Sequence, residues 1–297
     1  MSNSTSFSTY LCSVMKLLLK PMKLMLVVAV SLSSAIQYPA QVIAQTKQPP
    51  TSKPAQRAKK PTSPQRGASR PVFVWSKTPP GLSSISGRET GMGSRENCPK
   101  VETPLTALIP FKERGLATKQ KDNSAPMDVW GLTTAEHPTF WFYVPYTKDV
   151  ANLSAEFVLQ DSEENDVYRQ AIALPPKPGV MSVPLPSTVA PLEVNKTYRW
   201  HFKVHCNQQQ TASSPVQVEG DIQRVSLQPS VAQQLAAATD PREKIAIYAA
   251  SGIWYDSLNM LAQLRLANPK DVSLATDWQS LLQSIKLQQL ATTPLLN

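Results

Sequence analysis

A series of short apolar segments between residues 101 and 228 constrains the fold of this chain more than any other feature. In residues 198–206, aromatic, valine and cysteine side chains alternate with arginine, histidine and lysine. Because successive side chains of a strand point to opposite faces, this alternation predicts a strand with one buried and one solvated face. Similar segments predict further strands at residues 105–109, 139–144, 153–159, 167–174, 180–185 and 216–227. Short strands at this spacing indicate an antiparallel β-sandwich.

The segment 139–144 differs from the others because it is apolar and aromatic on both faces. A strand of this kind is normally covered on both sides. We expect an opposing sheet to cover one face and the C-terminal helices to cover the other. The alternative is an exposed aromatic platform for a sugar or a protein partner.

Leu192, Asn195 and Tyr198 form a Leu-x-x-Asn-x-x-Tyr spacing at the start of the clearest strand. This spacing resembles the tyrosine corner of immunoglobulin-like sandwiches, which implies that the phenol bonds back to the backbone at a strand crossing. Asparagine stands here in place of the usual glycine and also tolerates the left-handed backbone conformation. Cys206 lies eight residues after the tyrosine rather than two, so no immunoglobulin disulfide is implied.

The apolar period becomes helical after residue 229. Ser230 predicts the cap of a first helix, and Asp240 followed by Pro241 predicts the start of a second. From residue 248 to 269, the spacing of aromatic, glycine, small and apolar residues resembles the second part of a tetratricopeptide repeat. A single repeat cannot bury its own apolar face, so these helices dock either on the β domain or on another protein.

Within this helical unit, Trp254 and Trp278 are expected on the inner, buried side. Gln263 and Arg265 are expected on the opposite, polar side, where a partner could make contact. A last helix is predicted at about residues 272–285.

The N-terminal residues have the three-part pattern of a secretory signal. Three lysines precede the apolar segment 24–36, and the small residues Val42 and Ala44 follow it. The apolar segment has about 13 residues, too few to cross a bilayer of roughly 30 Å as a helix. We therefore predict an exported chain, cleaved near Ala44. The translation start is left open between Met1, Met15 and Met22.

The charge distribution separates a basic N-terminal part from a nearly neutral remainder. The chain has 30 Lys and Arg and 21 Asp and Glu, and residues 1–70 contain ten of the basic residues and none of the acidic ones. The remainder therefore lacks the basic surface of a nucleic-acid-binding protein. Residues 45–70 are rich in proline and polar residues, which predicts a disordered tether. The tether is either a plain spacer or a segment that touches anionic lipid or polysaccharide.

Two cysteines, Cys98 and Cys206, remain once the signal with Cys12 is removed. An even number in an exported chain predicts a disulfide between them, and two free thiols are the alternative. Glycines punctuate residues 81–99, with Arg88 and Arg95 among them. This stretch lacks the flanking strand, helix and Lys-Ser/Thr end of a phosphate loop. We interpret it as a turn or loop, with the two arginines as a weak candidate for anion or partner contact.

No residue pattern assigns catalytic, cofactor-binding or metal-binding residues. His201 and His205 would lie about 13 Å apart along a strand at ~3.3 Å per residue, too far to share a metal ion. His137 stands beside a proline and lacks the context of a nucleophile motif.

Several segments resemble a family of exported cyanobacterial proteins, domain of unknown function 928. They include His-Pro-Thr-Phe-Trp-Phe-Tyr-Val-Pro-Tyr at residues 137–146 and Gly-Ile-Trp-Tyr-Asp at residues 252–256. Shorter segments lie at residues 87–88, 93–95, 98–99, 105–108 and 198–200. The resemblance covers about residues 81–288 and implies a fold but no activity. Glu89 replaces the usual second arginine, which weakens an anion site there.

We therefore predict an α+β chain with an immunoglobulin-like antiparallel β-sandwich at residues 96–229 and a tetratricopeptide-like helical unit at residues 230–290. A signal peptide at residues 1–44 and a tether with a Gly-rich loop at residues 45–95 precede them. The predicted function is an exported, non-enzymatic protein-interaction or cell-envelope-associated module without cofactor or transmembrane span, with an envelope protein or anionic surface as partner. The alternative is an envelope enzyme or carbohydrate-binding protein with a site near the Gly/Arg loop and aromatic strand.

Overall fold

The computed structural model describes residues 69–76, 87–92, 98–113, 127–206 and 214–296. The predicted signal peptide, most of the predicted basic tether and Arg95 lie outside these residues. The strands are β1 (Arg88–Met92), β2 (Thr106–Ala107), β3 (Phe111–Glu113), β4 (Met127–Thr133), β5 (Thr139–Val144), β6 (Ser154–Gln160), β7 (Asp166–Ile172), β8 (Gly179–Pro184), β9 (Thr197–His205) and β10 (Val216–Arg224). The helices are α1 (Pro229–Ala237), α2 (Pro241–Ala250), α3 (Trp254–Ala267), α4 (Val272–Gln283) and a 3₁₀-helix, Gln288–Leu290. Among the described helices, none is long and apolar enough to cross a membrane.

The strands join into one curled, mainly antiparallel sheet that forms a half-barrel, in the order β7-β6-β9-β10-β1-β2-β5-β8. β4 pairs in parallel with β10 and antiparallel with β3. The mixed class with C-terminal helices is confirmed, but the two-sheet sandwich is not. The physical reason is β1, which pairs with β10 on one side and β2 on the other and so connects what would be two sheets.

β1 is a strand within the stretch that was predicted to be a loop from its glycines. Two of these glycines, Gly87 and Gly91, lie where neighbouring side chains leave no room for a side chain. A Cβ added at Gly87 would lie 2.6 Å from Cβ of Val129, and one added at Gly91 would lie 2.8 Å from a methyl group of Val216. At these positions glycine therefore serves close packing in the sheet rather than a turn.

The aromatic strands fill the concave core of the half-barrel. In β9, Trp200 and Phe202 are buried, and the basic residues between the apolar ones are half-buried, as the alternation predicts. In β5, Phe140, Trp141 and Phe142 are all buried. The expectation that both faces of β5 are covered is therefore confirmed, and the exposed aromatic platform is wrong.

The contact predicted from the tyrosine-corner spacing is present before β9. The backbone N–H of Glu193 donates a hydrogen bond to the phenol oxygen of Tyr198 at 3.1 Å. Asn195 adopts a φ of +64°, the left-handed conformation expected of a residue that replaces glycine there.

Helices α2, α3 and α4 and the 3₁₀-helix share one continuous apolar core with the sheet. Asp240 caps α2 as predicted, accepting a hydrogen bond from the backbone N–H of Arg242, whereas α1 begins at Pro229 without a side-chain cap from Ser230. Arg265 differs from its expected place on an open polar side. Its guanidinium lies 5.2 Å from the ring centre of Trp278, and the side chain is half-buried.

Residues 69–76 form an extended segment, here called the strap, that packs on the helices. The backbone N–H of Phe73 donates to the hydroxyl of Ser284 at 3.1 Å, and the hydroxyl of Ser280 donates to the carbonyl of Pro71 at 3.0 Å. The ring of Phe73 lies 5.2 Å from that of Trp254. The strap and the sheet together therefore cover the apolar face that a lone helical repeat leaves open.

Candidate functional site

A cleft of about 250 Å³ lies between the connection from β4 to β5 and the helices α2 and α3. Two of the segments that carry the family resemblance, residues 137–146 and 252–256, meet there. The lining combines aromatic and apolar side chains with hydroxyl, amide, imidazole and carboxyl groups. Its residues are Thr133, Ala135, His137, Pro138, Thr139, Tyr248, Tyr255, Asp256, Asn259 and Met260.

Helix α3 forms one wall of the cleft because its first turn is fixed against the sheet. The indole N–H of Trp254 donates to the carbonyl of Leu108 at 2.9 Å, and the indole N–H of Trp200 donates to the phenol of Tyr255 at 2.8 Å. Gly131 of β4 leaves space for the tyrosine ring, since a Cβ there would lie 2.9 Å from Cε2. These contacts set the position of the polar residues that follow on α3.

Asp256 ties α3 to the end of β4. Its carboxylate accepts hydrogen bonds from the hydroxyl of Thr133 at 2.8 Å, from the backbone N–H of Thr134 at 3.1 Å and from the hydroxyl of Thr134. Burial raises the pKa of Asp256 above the ordinary aspartate value, although these hydrogen bonds act in the opposite direction. A carboxylate that is occupied by fixed donors from the protein joins two elements and is poorly placed to take a proton from a substrate.

His137 and Asn259 bring hydrogen-bonding atoms to the cleft that the fold does not use. The Nε2 atom of His137 lies 2.9 Å from the carbonyl oxygen of Val189. Because a carbonyl only accepts, Nε2 carries the proton of the neutral ring and Nδ1 is an acceptor. The Oδ1 atom of Asn259 accepts from the indole N–H of Trp141 at 3.3 Å, which leaves its amide N–H groups as donors. Neither His137 Nδ1 nor Asn259 Nδ2 has another hydrogen-bond partner within the described part of the chain.

Tyr248 contributes a phenol to the opposite wall, on α2. Burial, together with the negative charge of Asp256, raises the pKa of Tyr248 above its ordinary value. A hydrogen bond with the Thr134 side chain acts in the opposite direction, and the phenol, protonated at neutral pH, can both donate and accept. Among the described residues that line the cleft, none is Lys or Arg, so the lining offers no positive side chain of these types to an anion.

The residues that sequence reasoning selected lie elsewhere. Arg88 is half-buried in β1, paired across the ladder with Glu219 of β10, and it does not line the cleft. Arg95 lies outside the described residues. The sulfur atoms of Cys98 and Cys206 are within bonding distance, and their Cα atoms are 5.0 Å apart, a separation that a disulfide spans.

The two histidines of β9 lie beside carboxylates on the outer face of the sheet. His201 lies 3.2 Å from a carboxylate oxygen of Glu219, and His205 lies 3.6 Å from one of Glu156. Within the described ranges, no group of three or more His, Cys, Asp or Glu residues could hold a metal ion. The two histidines thus each lie beside a different carboxylate and do not converge on a shared ligand set.

Glu89 is a buried carboxyl group in the middle of the sheet, with 5% of its surface exposed. The hydroxyl of Thr90 donates to it at 3.3 Å. Burial raises the pKa of Glu89 from 4.5 to about 7, because the charged form loses its hydration.

This shift predicts a pH-dependent stability that one substitution removes. The folded chain holds the Glu89 proton more tightly than the unfolded chain, so the stability it gives is complete below about pH 4.5 and is lost as pH rises through about 7. We expect Glu89→Gln to raise the free energy of unfolding by about 1–3 kcal/mol at pH 8 and to leave it unchanged at pH 4. Urea unfolding at the two pH values measures this difference.

Glu219→Gln is the matched control. The neighbouring ring of His201 lowers the pKa of Glu219, so neutralising Glu219 should destabilise the chain at pH 8 rather than stabilise it. An equal gain from Glu89→Gln at pH 4 and pH 8 would show that packing, not charge, causes the effect.

Sequence reasoning missed the cleft because its residues are far apart in the chain. Thr133 and Asp256 are separated by 123 positions, and no periodicity connects a turn after one strand with the start of a helix. The one available signal was that two of the segments carrying the family resemblance, residues 137–146 and 252–256, contain polar residues beside aromatic ones.

Comparison with protein families gives a match that covers most of the described chain. The family described as Domain of Unknown Function (DUF928) matches residues 90–295. The matched range contains every residue that lines the cleft, as well as both cysteines of the predicted disulfide. No curated protein matches the chain.

Proposed function

This chain belongs to the family described as Domain of Unknown Function (DUF928), and we propose that it is an exported, non-enzymatic binding module of the cell envelope. In this proposal the recognition site is the cleft between the sheet and the helices. One observation carries it: the cleft offers an amide donor and an imidazole acceptor that the fold leaves unused, while its carboxylate is engaged by threonines.

Two further observations support export. The N-terminal residues have the pattern of a signal peptide with cleavage near Ala44. Cys98 and Cys206 lie close enough to be bonded, and an oxidising compartment outside the cytoplasm would keep such a pair bonded.

Two details of the fold, one in the sheet and one in the helices, support an interaction role. The hydrogen bond at Tyr198 favours a relation to immunoglobulin-like domains, and the helix pair α2–α3 favours a tetratricopeptide-like unit. Both kinds of domain commonly present surfaces to partners. An envelope protein and an anionic surface remain the candidate partners of this module.

The runner-up is an envelope enzyme that works in the same cleft. The observation in its favour is that Asp256 and Tyr248 both have raised pKa values beside a cavity, a combination that active sites often share. Against it stands the engagement of Asp256 by donors from two threonines, which gives the shift a structural cause.

Binding of the mature chain to isolated envelope fragments of its source organism tests the proposal. Thr139→Phe adds a bulky ring to the lining of the cleft, and we expect it to reduce co-sedimentation with the fragments at least tenfold. Thr276→Phe, the same change on α4 away from the cleft, should leave co-sedimentation unchanged. Equal binding of the two variants would overturn the proposal. Chemical turnover of an envelope component that Asp256→Asn abolishes would favour the enzyme instead.

A further inference from the structure

We propose that the cleft binds an uncharged sugar ring, such as the terminal residue of an envelope polysaccharide. This inference rests on the proposed function and names the chemical class of its ligand. It follows from the charge, the hydrogen-bonding groups, the apolar wall and the size of the cleft.

The charge of the cleft selects against anions. Its lining has no Lys or Arg among the described residues, so a phosphate or carboxylate ligand would find no counter-charge. Asp256 is engaged by Thr133 and Thr134, and its negative charge would oppose an anionic ligand further.

The hydrogen-bonding groups match hydroxyl groups. Asn259 offers N–H donors, and His137 offers the Nδ1 acceptor. The hydroxyls of Tyr248 and Thr139 both donate and accept. A sugar hydroxyl likewise donates one hydrogen bond and accepts others, so a ring that carries several hydroxyls can satisfy this mixed set. A purely apolar ligand would leave these groups without hydrogen-bond partners, which weakens binding.

The apolar part of the lining suits the C–H face of a ring. Tyr248, Pro138 and Met260 supply an aromatic ring, a proline ring and a thioether beside the polar groups. Sites with an apolar wall and a few placed polar groups are the usual form of small-molecule sites.

The size of the cleft limits the ligand to one ring. Pockets for drug-sized molecules begin at about 300 Å³, and this cleft has about 250 Å³. A folded protein segment or a nucleotide would exceed it, whereas the end of a glycan chain would place one residue inside and leave the rest in solvent.

Titration calorimetry of the mature chain with neutral and charged sugars tests the inference. The probes are the methyl glycosides of glucose, galactose, mannose and N-acetylglucosamine, with methyl glucuronide as the charged match for the glucoside. We expect at least one neutral glycoside to bind saturably. We expect the glucuronide to bind at least tenfold more weakly than the glucoside if the glucoside is a ligand.

Two hydroxyl deletions locate the binding. Tyr248→Phe and Thr139→Val each remove one hydroxyl with little change of shape, and we expect each to weaken binding about five- to tenfold. Tyr168→Phe on β7 and Thr276→Val on α4 are the same changes outside the cleft and should leave the affinity unchanged. Urea unfolding of each variant confirms that the fold is intact.

The outcomes separate this inference from the proposed function. Saturable binding that the cleft variants weaken and the controls do not would support it. Failure of all neutral glycosides, or binding that the cleft variants leave unchanged, would overturn the sugar assignment. If Thr139→Phe still abolishes envelope binding in that case, the cleft is a recognition site for another class of ligand and the proposed function stands.

Discussion

Trp254→Ala should lower the free energy of unfolding by about 3–5 kcal/mol, as truncations of large core residues do. The Trp254 side chain is fully buried between the sheet, α3 and the strap. Its ring packs against Phe73 at 5.2 Å, and its N–H donates to the carbonyl of Leu108. Alanine would leave a cavity at the joint between the sheet and the helices and an unpaired carbonyl beside it. Urea unfolding followed by circular dichroism measures the loss.

Trp75→Ala is the matched control for this substitution. Trp75 lies on the strap, contacts Phe73 and Trp130 and is 37% exposed, so its loss should cost less, about 1–2 kcal/mol. Trp254→Phe should fall between the two, since it keeps a ring and loses the hydrogen bond. Near-wild-type stability of Trp254→Ala would mean that the helices do not dock on the sheet in solution.

Replacing both Cys98 and Cys206 by serine should lower the free energy of unfolding by about 4–5 kcal/mol. The two residues are separated by 108 positions, so a bond between them removes much of the freedom of the unfolded chain. Guanidinium unfolding of the mature chain, with and without a reductant, measures the difference. We expect the reduced wild type to behave like the double variant.

The single variant Cys98→Ser separates the bond from the side chains. It should lose as much stability as the double variant, because either change removes the whole link. For the wild type, alkylation of the denatured, unreduced mature chain followed by mass spectrometry counts the free thiols. Two alkylated cysteines would show that no disulfide forms and would contradict the prediction.

Local pattern was enough to predict two kinds of strand. In one kind the side chains alternate between apolar and polar, and in the other kind turn residues flank the strand. β9 shows this best, because the residues between its apolar side chains are basic and the period is unambiguous. The capping of α2 by Asp240 and the contact of Tyr198 were equally predictable, since both depend on neighbours within a few residues.

The remaining features depend on residues that meet only in the folded chain. The glycines near β1 make its sequence resemble a loop. Gly87 and Gly91 are needed there because the side chains of Val129 and Val216 pack against them, and the sequence alone does not show that these residues are neighbours. β4 carries Gly131 where Tyr255 passes, which breaks its apolar pattern. The cleft could not be predicted for the same reason, because its residues are far apart in the sequence. This also applies to the pairing of β1 with β10 and β2, which joins the strands into a single sheet.

The contacts of the strap can form only late in the synthesis of the chain. Its hydroxyl partners, Ser280 and Ser284, lie 209 and 211 positions later than the strap residues that they contact. A ribosome delivers the strap among the first residues of the body and the serines among the last. The sheet and helices therefore cannot reach their final packing with the strap until nearly the whole chain has emerged. Contacts of such long sequence separation also favour slow folding. The proposed export would gain from this delay, because an unfolded chain can still be threaded across a membrane.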